Sequence, residues 1–293
     1  MRKLSVLGAL MCWGLSAGAQ DMVPTEVSPL TEEPEEVERG WTNAADLGYV
    51  LTSGNTSTRT LSFDDKLVRR WNRAELTVRL GALRTQTADD RFAVGTPDDF
   101  AIVEDEANDL DNERYYVAGR FDRTLSRHFF WVVGTAWDKD KDAGVDNRTI
   151  LYAGLGNAWV DTDKTRFRTD YTATFTHRID EIEDPARDEN TVEARVSWEY
   201  MNKLTPALQL DSDFVFFLNV QDANDNRFDT TGSIAARLTN VFALKFSLQL
   251  RYQNLPALEE IDLFGESGLP AGSVVTRKKK LDSMLRFSVV VTL

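Results

Sequence analysis

Two histidines, His128 and His177, and a single cysteine, Cys12, are the residues of this chain best suited to nucleophilic or metal chemistry at neutral pH. His128 falls in a predicted short turn and His177 beside a predicted long loop, which puts them at opposite ends of whatever they belong to. A metal site or an acid–base pair needs its groups within hydrogen-bond reach. A hydrolase would also need a nucleophile, a base and an orienting group together, and nothing around either histidine supplies them. The expectation is therefore a protein that is not an enzyme and carries no cofactor. One carboxylate run invites a metal. In "DKDKDAGVDN" Asp138, Asp140 and Asp142 alternate, with Gly144 and Asp146 beyond. Calcium loops use such spacing, but here the glycine comes one residue late and the closing Glu is missing. The run reads as a solvated hairpin tip, with these four aspartates its only weak candidates for a cation.

The ends of the chain set the compartment. Met1-Arg2-Lys3, the apolar run "LSVLGALMCWGL" and Ala17-Gly18-Ala19 have the three parts of a secretory signal peptide, with cleavage expected near Ala19. Cys12 would leave with it. Removal of Arg2 and Lys3 moves the formal charge from −13 to −15. Such acidity argues against nucleic acid as a partner, because phosphate binding needs clustered positive charge. Residues 20–40, rich in Pro and Glu and without period, read as a solvated leader.

From Trp41 onward the pattern changes to period 2. Val192, Ala194, Val196, Trp198 and Tyr200 share one face of a segment whose other face is Thr191, Glu193, Arg195, Ser197 and Glu199. Leu244, Phe246, Leu248, Leu250 and Tyr252 oppose Lys245, Ser247, Gln249, Arg251 and Gln253 in the same way. Alternation of this kind is a strand with one apolar and one polar face. Counting such segments gives about 12 strands, at 43–52, 57–69, 74–86, 113–124, 129–138, 148–159, 165–177, 191–201, 207–220, 229–238, 242–253 and 277–293, each long enough to cross a bilayer at a tilt. Asp65 falls on the apolar face of the second, which predicts a bulge there or a shifted register.

The connections alternate in length, except that the opening hairpin has a short turn where a long loop would be expected. Short ones lie near 70–73, 126–127, 161–164, 202–206 and 239–240; long polar ones lie at 87–112, 139–147, 178–190, 221–228 and 254–276. Short turns at one rim and long loops at the other are the habit of outer-membrane barrels. Trp41, Trp71, Trp131, Trp159 and Trp198 gather toward the short-turn rim, as an interfacial aromatic girdle would, and Trp137 lies toward the other. Together these features predict an all-β, antiparallel, up-and-down transmembrane barrel over 41–293.

The polar face then becomes the lumen. Arg79, Arg120, Arg166, Arg168, Arg195, Arg237, Lys245, Arg251, Lys278, Lys280 and Arg286 are the inward cations, and Glu75, Asp122, Asp170, Glu193, Glu199, Asp211 and Asp213 the inward acids. A charge turned to lipid costs several kcal/mol near the midplane, so this sorting fixes which face is inside. Two readings follow. One is a lattice of salt bridges and water closing a narrow barrel; the other is a pore whose basic strands near the C-terminus attract anions. The acidic stretch from Ala88 to Asn112 reads as a solvated loop, with a cation-mediated contact to lipopolysaccharide phosphates, or a lid, as alternatives.

The run "WTNAADLGYVLTSGNTSTRTLSF", with Gly48-Tyr49 and Thr52-Ser53-Gly54-Asn55-Thr56 at its core, resembles the start of the YdiY-like family of salt-induced outer-membrane proteins. That resemblance implies an outer-membrane location in a Gram-negative bacterium, a barrel fold and a link to salt or osmotic response. It carries over no catalytic residue. Ending in "LRFSVVVTL", the chain also looks like a substrate of the outer-membrane assembly machinery, so that machinery, outer-membrane lipid and lipopolysaccharide are the expected partners.

Overall fold

The structure, a computed structural model, describes residues 40–52, 58–87, 90–105, 110–141, 143–265 and 267–292. The expected signal segment, all but the end of the expected leader, the first turn at 53–57 and Asp142 lie outside the described residues.

Twelve strands close into one antiparallel barrel. They are β1 (Trp41–Thr52), β2 (Thr58–Trp71), β3 (Ala74–Thr87), β6 (Leu110–Thr124), β7 (Phe129–Asp140), β8 (Val145–Asp161), β9 (Thr165–Asp180), β10 (Asn190–Thr205), β11 (Leu208–Asn219), β12 (Asn226–Arg237), β13 (Phe242–Gln253) and β16 (Leu281–Thr292). Neighbours in sequence are neighbours in the ring, and β1 closes it against β16, with Ala44–Gly48 opposite Thr292–Ser288. Closure leaves the barrel no unpaired edge.

The barrel is apolar outside and polar inside. Leu61, Leu155, Tyr171 and Phe287 are more than half exposed on its outer face, while Asp138, Asp140, Arg148 and Asp229 are fully buried. That inversion is the alternation of each strand read against lipid instead of water. Aromatic side chains edge the exterior: Trp71, Phe121 and Trp131 form a chain of ring contacts, and Trp159 Nε1 donates to Thr169 Oγ1 at 2.9 Å. Trp198, paired with that same Thr169, stacks on Phe214 at 4.1 Å.

Three expectations are corrected. The strand β2 pairs without a register shift on either side, so Asp65 makes no bulge; it stays on the outer face and accepts a hydrogen bond from Asn43 Nδ2 at 2.9 Å. The last barrel strand begins at Leu281, which leaves Lys278 and Lys280 in the link before it. The stretches 87–112 and 254–276 are not simple solvated loops. They contain the hairpins β4 (Asp90–Thr96)–β5 (Asp99–Asp105) and β14 (Leu258–Phe264)–β15 (Pro270–Arg277). A short parallel contact, Leu263–Phe264 against Ala93–Val94, joins them into a four-stranded sheet at the long-loop rim. Ala93, Ile261, Leu263 and Val274 form its buried core, with Phe100 packed against it. Burying these apolar groups gives the hairpins a reason to meet; the acidic residues around them hid that signal in the sequence.

Candidate functional site: the barrel interior

Every charged side chain on an inner face needs a partner, because burying an unpaired charge is expensive. The strands meet that need in layers. In the half nearer the long-loop rim, Arg148 on β8 donates two hydrogen bonds to Asp138 on β7, at 3.0 and 2.8 Å, and both side chains are fully buried. Arg227 on β12 makes a two-pronged pair with Glu193 on β10, which also accepts from Thr176 Oγ1 at 2.7 Å. Asp140 on β7 takes Arg114 of β6 at 3.3 Å and Arg251 of β13 at 3.7 Å; Arg251 also reaches Asp229 of β12 at 3.3 Å. Strands β7 and β13 stand on opposite walls of the ring. Their ion pair therefore bridges the lumen.

Below that bridge the two sides of the lumen differ. Under β6 to β10, Asp170 is shared by Arg120 at 3.0 Å, Arg195 and Ser197 Oγ at 2.7 Å. Arg120 also holds Asp122 and lies 3.5 Å from Glu199, while Arg168 adds a contact to Asp122 at 3.4 Å. Aromatic rings face the guanidinium groups here, Arg168 over Phe130 at 4.2 Å and Arg195 over Tyr152 at 4.8 Å, and between β12 and β11 Arg227 lies over Phe217 at 4.2 Å. Room for these rings comes from glycine. A Cβ on Gly156 would stand 2.1 Å from Phe130, and one on Gly134 2.3 Å from Tyr152.

On the other side, toward β11, β12, β13, β16 and β1–β3, the inner face carries smaller residues and a cavity of about 110 Å³ remains. It runs from the β12–β13 turn, Thr239 to Val241, up to Arg114 and Arg251. It thus reaches from the short-turn rim to the bridge. Lys66, Arg79, Arg114, Arg237, Lys245, Arg251 and Arg286 line it against Asp46, Asp64 and Asp211, seven basic residues to three acidic ones, while Asp65 borders it with its side chain outward. Lys245 pairs with Asp46 at 2.8 Å and Arg286 with Asp64 at 2.8 Å, and Tyr116 donates to Asp64 as well.

The long-loop end is covered. Arg187 of the β9–β10 loop donates to the carbonyl of Leu255, and Arg277 of β15 reaches Asp184 at 2.7 Å and the carbonyl of Pro256 at 2.8 Å. Ala257, fully buried, sits against Gly144, whose φ of 67° suits a residue without a side chain. A methyl group there would stand 2.9 Å from the Ala257 Cβ.

Of the sequence-derived lumen residues, Arg120, Arg168, Asp170, Glu193, Arg195, Glu199 and Arg251 belong to these ion-pair layers. Arg79, Asp211, Arg237, Lys245 and Arg286 line the cavity, and Asp213 is buried beside it on β11. Arg166 is at the short-turn rim with Asp161 at 3.3 Å. Lys278 and Lys280 do not point into the barrel from a strand: Lys278 is 3.8 Å from Glu259 of β14, and Lys280 donates to Asn254. The calcium-like run is also divided. Asp138 and Asp140 are the arginine partners already described, and Asp146 turns outward to Lys139. Among the described residues no three His, Cys, Asp or Glu side chains gather around a common point. His128 and His177 sit at opposite rims, the first against the carbonyl of Ala158, the second against Asn190.

Sequence reasoning missed Arg114, Arg148, Arg227, Asp229, Asp46 and Asp64. Four of these lie toward the long-loop ends of their strands, beyond or at the edge of the apolar belt, where the outer face turns polar and alternation loses contrast.

A closed antiparallel barrel with an apolar, aromatic-edged exterior and a charged interior is the construction of a membrane-spanning β-barrel. The chain belongs to a family described as "Protein of unknown function, DUF481", which it matches over residues 45–264. Among solved structures it is similar to an outer membrane channel from Pseudomonas putida F1, at 10% identity and a TM-score of 0.49, over 92% of this chain and 100% of that one. The NanC porin, at 9% identity and a TM-score of 0.45, is covered whole by 86% of this chain. The KdgM porin follows at 6% identity and a TM-score of 0.41, with 86% and 99% covered. No curated protein matches the chain.

Proposed function

We propose that this protein is a non-enzymatic barrel of the Gram-negative outer membrane whose lumen is plugged, acting in the envelope's response to salt. The observation that carries the plugged state is the contact of Arg251 with Asp140 across the ring, set in a layer of fully buried ion pairs and covered by the β14–β15 hairpin. An open selective channel keeps a wetted path between its two mouths, whereas here side chains from opposite walls touch. The salt link rests on the resemblance of Trp41 to Phe63 to YdiY-like proteins. In this reading the short turns face the periplasm, the four-stranded sheet faces outward among lipopolysaccharide, and the apolar exterior meets outer-membrane lipid after insertion by the assembly machinery.

The test is conductance. Purified full-length protein in a planar bilayer is expected to give no steady single-channel current. The double variant Arg251→Ala/Asp140→Ala removes the bridge as a pair, leaving neither of these two charges behind, and is expected to raise conductance above background. Steady current from the unaltered protein would sink the plugged-barrel reading and support the channel. Heat-modifiable gel migration in outer-membrane fractions tests the location; recovery only from the soluble periplasm would refute it.

A further inference from the structure

The cavity under the bridge has a gradient along its length. Near the short-turn rim its inner wall is small and apolar, formed by Ala44, Ala235, Ala243 and Val290. Deeper in, charged groups take over, with Lys245 and Arg286 projecting from β13 and β16. At the mouth stands Arg237, half-buried and, among the described residues, without an ion-pair partner. The volume of about 110 Å³ is several times what one water needs. In a chain of net charge −13, seven cations on the pocket wall face three anions, Asp46, Asp64 and Asp211, and the two carboxylates of the bridge layer, Asp140 and Asp229, which leaves a local excess of positive charge. Such a field concentrates small anions, and a low-dielectric collar focuses it.

We propose that this cavity is a binding site for a small carboxylate with a short apolar body. Its carboxylate would seat in the charged layer and its carbons against the alanine collar. A free divalent cation finds no grouped carboxylates in the described residues, and about 110 Å³ leaves little room for a bulky sugar. Binding here requires no passage through the barrel. The inference goes beyond the plugged-lumen reading and relies on it only for the statement that the pocket faces the periplasm.

Isothermal titration of the detergent-solubilised full-length protein tests the site, with butanoate as probe and butanamide, succinate and inorganic phosphate as comparisons. Butanoate is expected to bind saturably and butanamide not at all. Replacing Ala243→Trp fills the collar and is expected to abolish the signal, with heat-modifiable migration verifying that the barrel has formed. Should that variant not fold, Arg237→Gln at the exposed rim carries the test, with affinity weakened about two- to five-fold, the worth of a partly exposed charge. No saturable butanoate binding, equal binding of butanamide, binding of phosphate or succinate alone, or binding unchanged in both variants would each overturn the proposal. Conductance separates the two readings: an unaltered barrel that conducts yet binds butanoate refutes the plug, and a silent barrel that binds nothing refutes the pocket.

Discussion

Under β6 to β10 the inner face carries Arg120, Asp170 and Arg195 with the rings of Phe130 and Tyr152, and long side chains from neighbouring strands meet there. Across the lumen, β1, β12, β13 and β16 present Ala44, Ala235, Ala243 and Val290 in the corresponding lower part, and a cavity stays open. Both sides obey the same rule of alternation, so polarity does not separate them. Side-chain volume does. In this twelve-stranded barrel long arginines from one wall meet carboxylates from another, while the alanines leave a cavity between them. Closure at the long-loop end is common to both sides, because the bridge through Asp140 draws on Arg114 from one and Arg251 from the other.

The sharpest way to break this contrast is to remove the hub of the filled side. Asp170→Ala leaves Arg120 and Arg195 buried without the carboxylate they share, and truncating one partner of a buried charge network costs about 3–5 kcal/mol. Urea unfolding in detergent micelles, followed by gel migration, is expected to show that loss; an unchanged midpoint would mean water reaches these groups and the side is not filled. Next in size is Gly156→Ala, also on the filled side, where the new methyl group collides with the Phe130 ring that supports Arg168. Overpacking of this sort costs about 1–3 kcal/mol in the same assay. By contrast, Ser247→Val adds bulk toward the cavity and is expected to shift stability by about 1 kcal/mol or less. A large loss at Ser247 would show that the cavity side is as tightly packed as its opposite.

The smallest effect concerns the cover. Burial pushes the Asp184 carboxyl upward, but Arg277 and the backbone N–H of Ala186 outweigh it and hold the group below the usual carboxylate range. A depressed carboxylate pKa contributes stability that is fully present above the unfolded value of about 4 and is lost as pH falls through the folded value. The β14–β15 hairpin is therefore expected to become more open to protease below pH about 4, with no change between pH 6 and 8. Arg277→Gln should make it protease-sensitive at neutral pH. Equal cleavage of both forms at every pH would detach the hairpin from the Asp184 clamp.

Much of the fold was legible before any coordinates. Alternation in Thr191–Tyr200 and Leu244–Gln253 marked the strands and told the inner face from the outer, because a charge facing lipid is too costly to be placed at random. The two hairpins at the long-loop rim were less legible. Phe100-Ala101-Ile102-Val103 is a strand-like run, but nine acidic residues across Ala88–Asn112 masked it. It pairs with the adjacent β4, but the other partner of β4 is β14 in the stretch 254–276, far away in sequence, and no local pattern announces that pairing.

The sequence by itself determined that this is a barrel, which faces are inside and which side chains would have to be neutralised there, since period and polarity are local properties of each strand. Only the tertiary structure decided who neutralises whom. Arg251 meets Asp140 and Arg286 meets Asp64 because ring closure brings distant strands within a few ångströms. Whether the lumen is plugged, and where a cavity is left, depends on how volumes from opposing walls add up, and that sum exists only once the walls face each other.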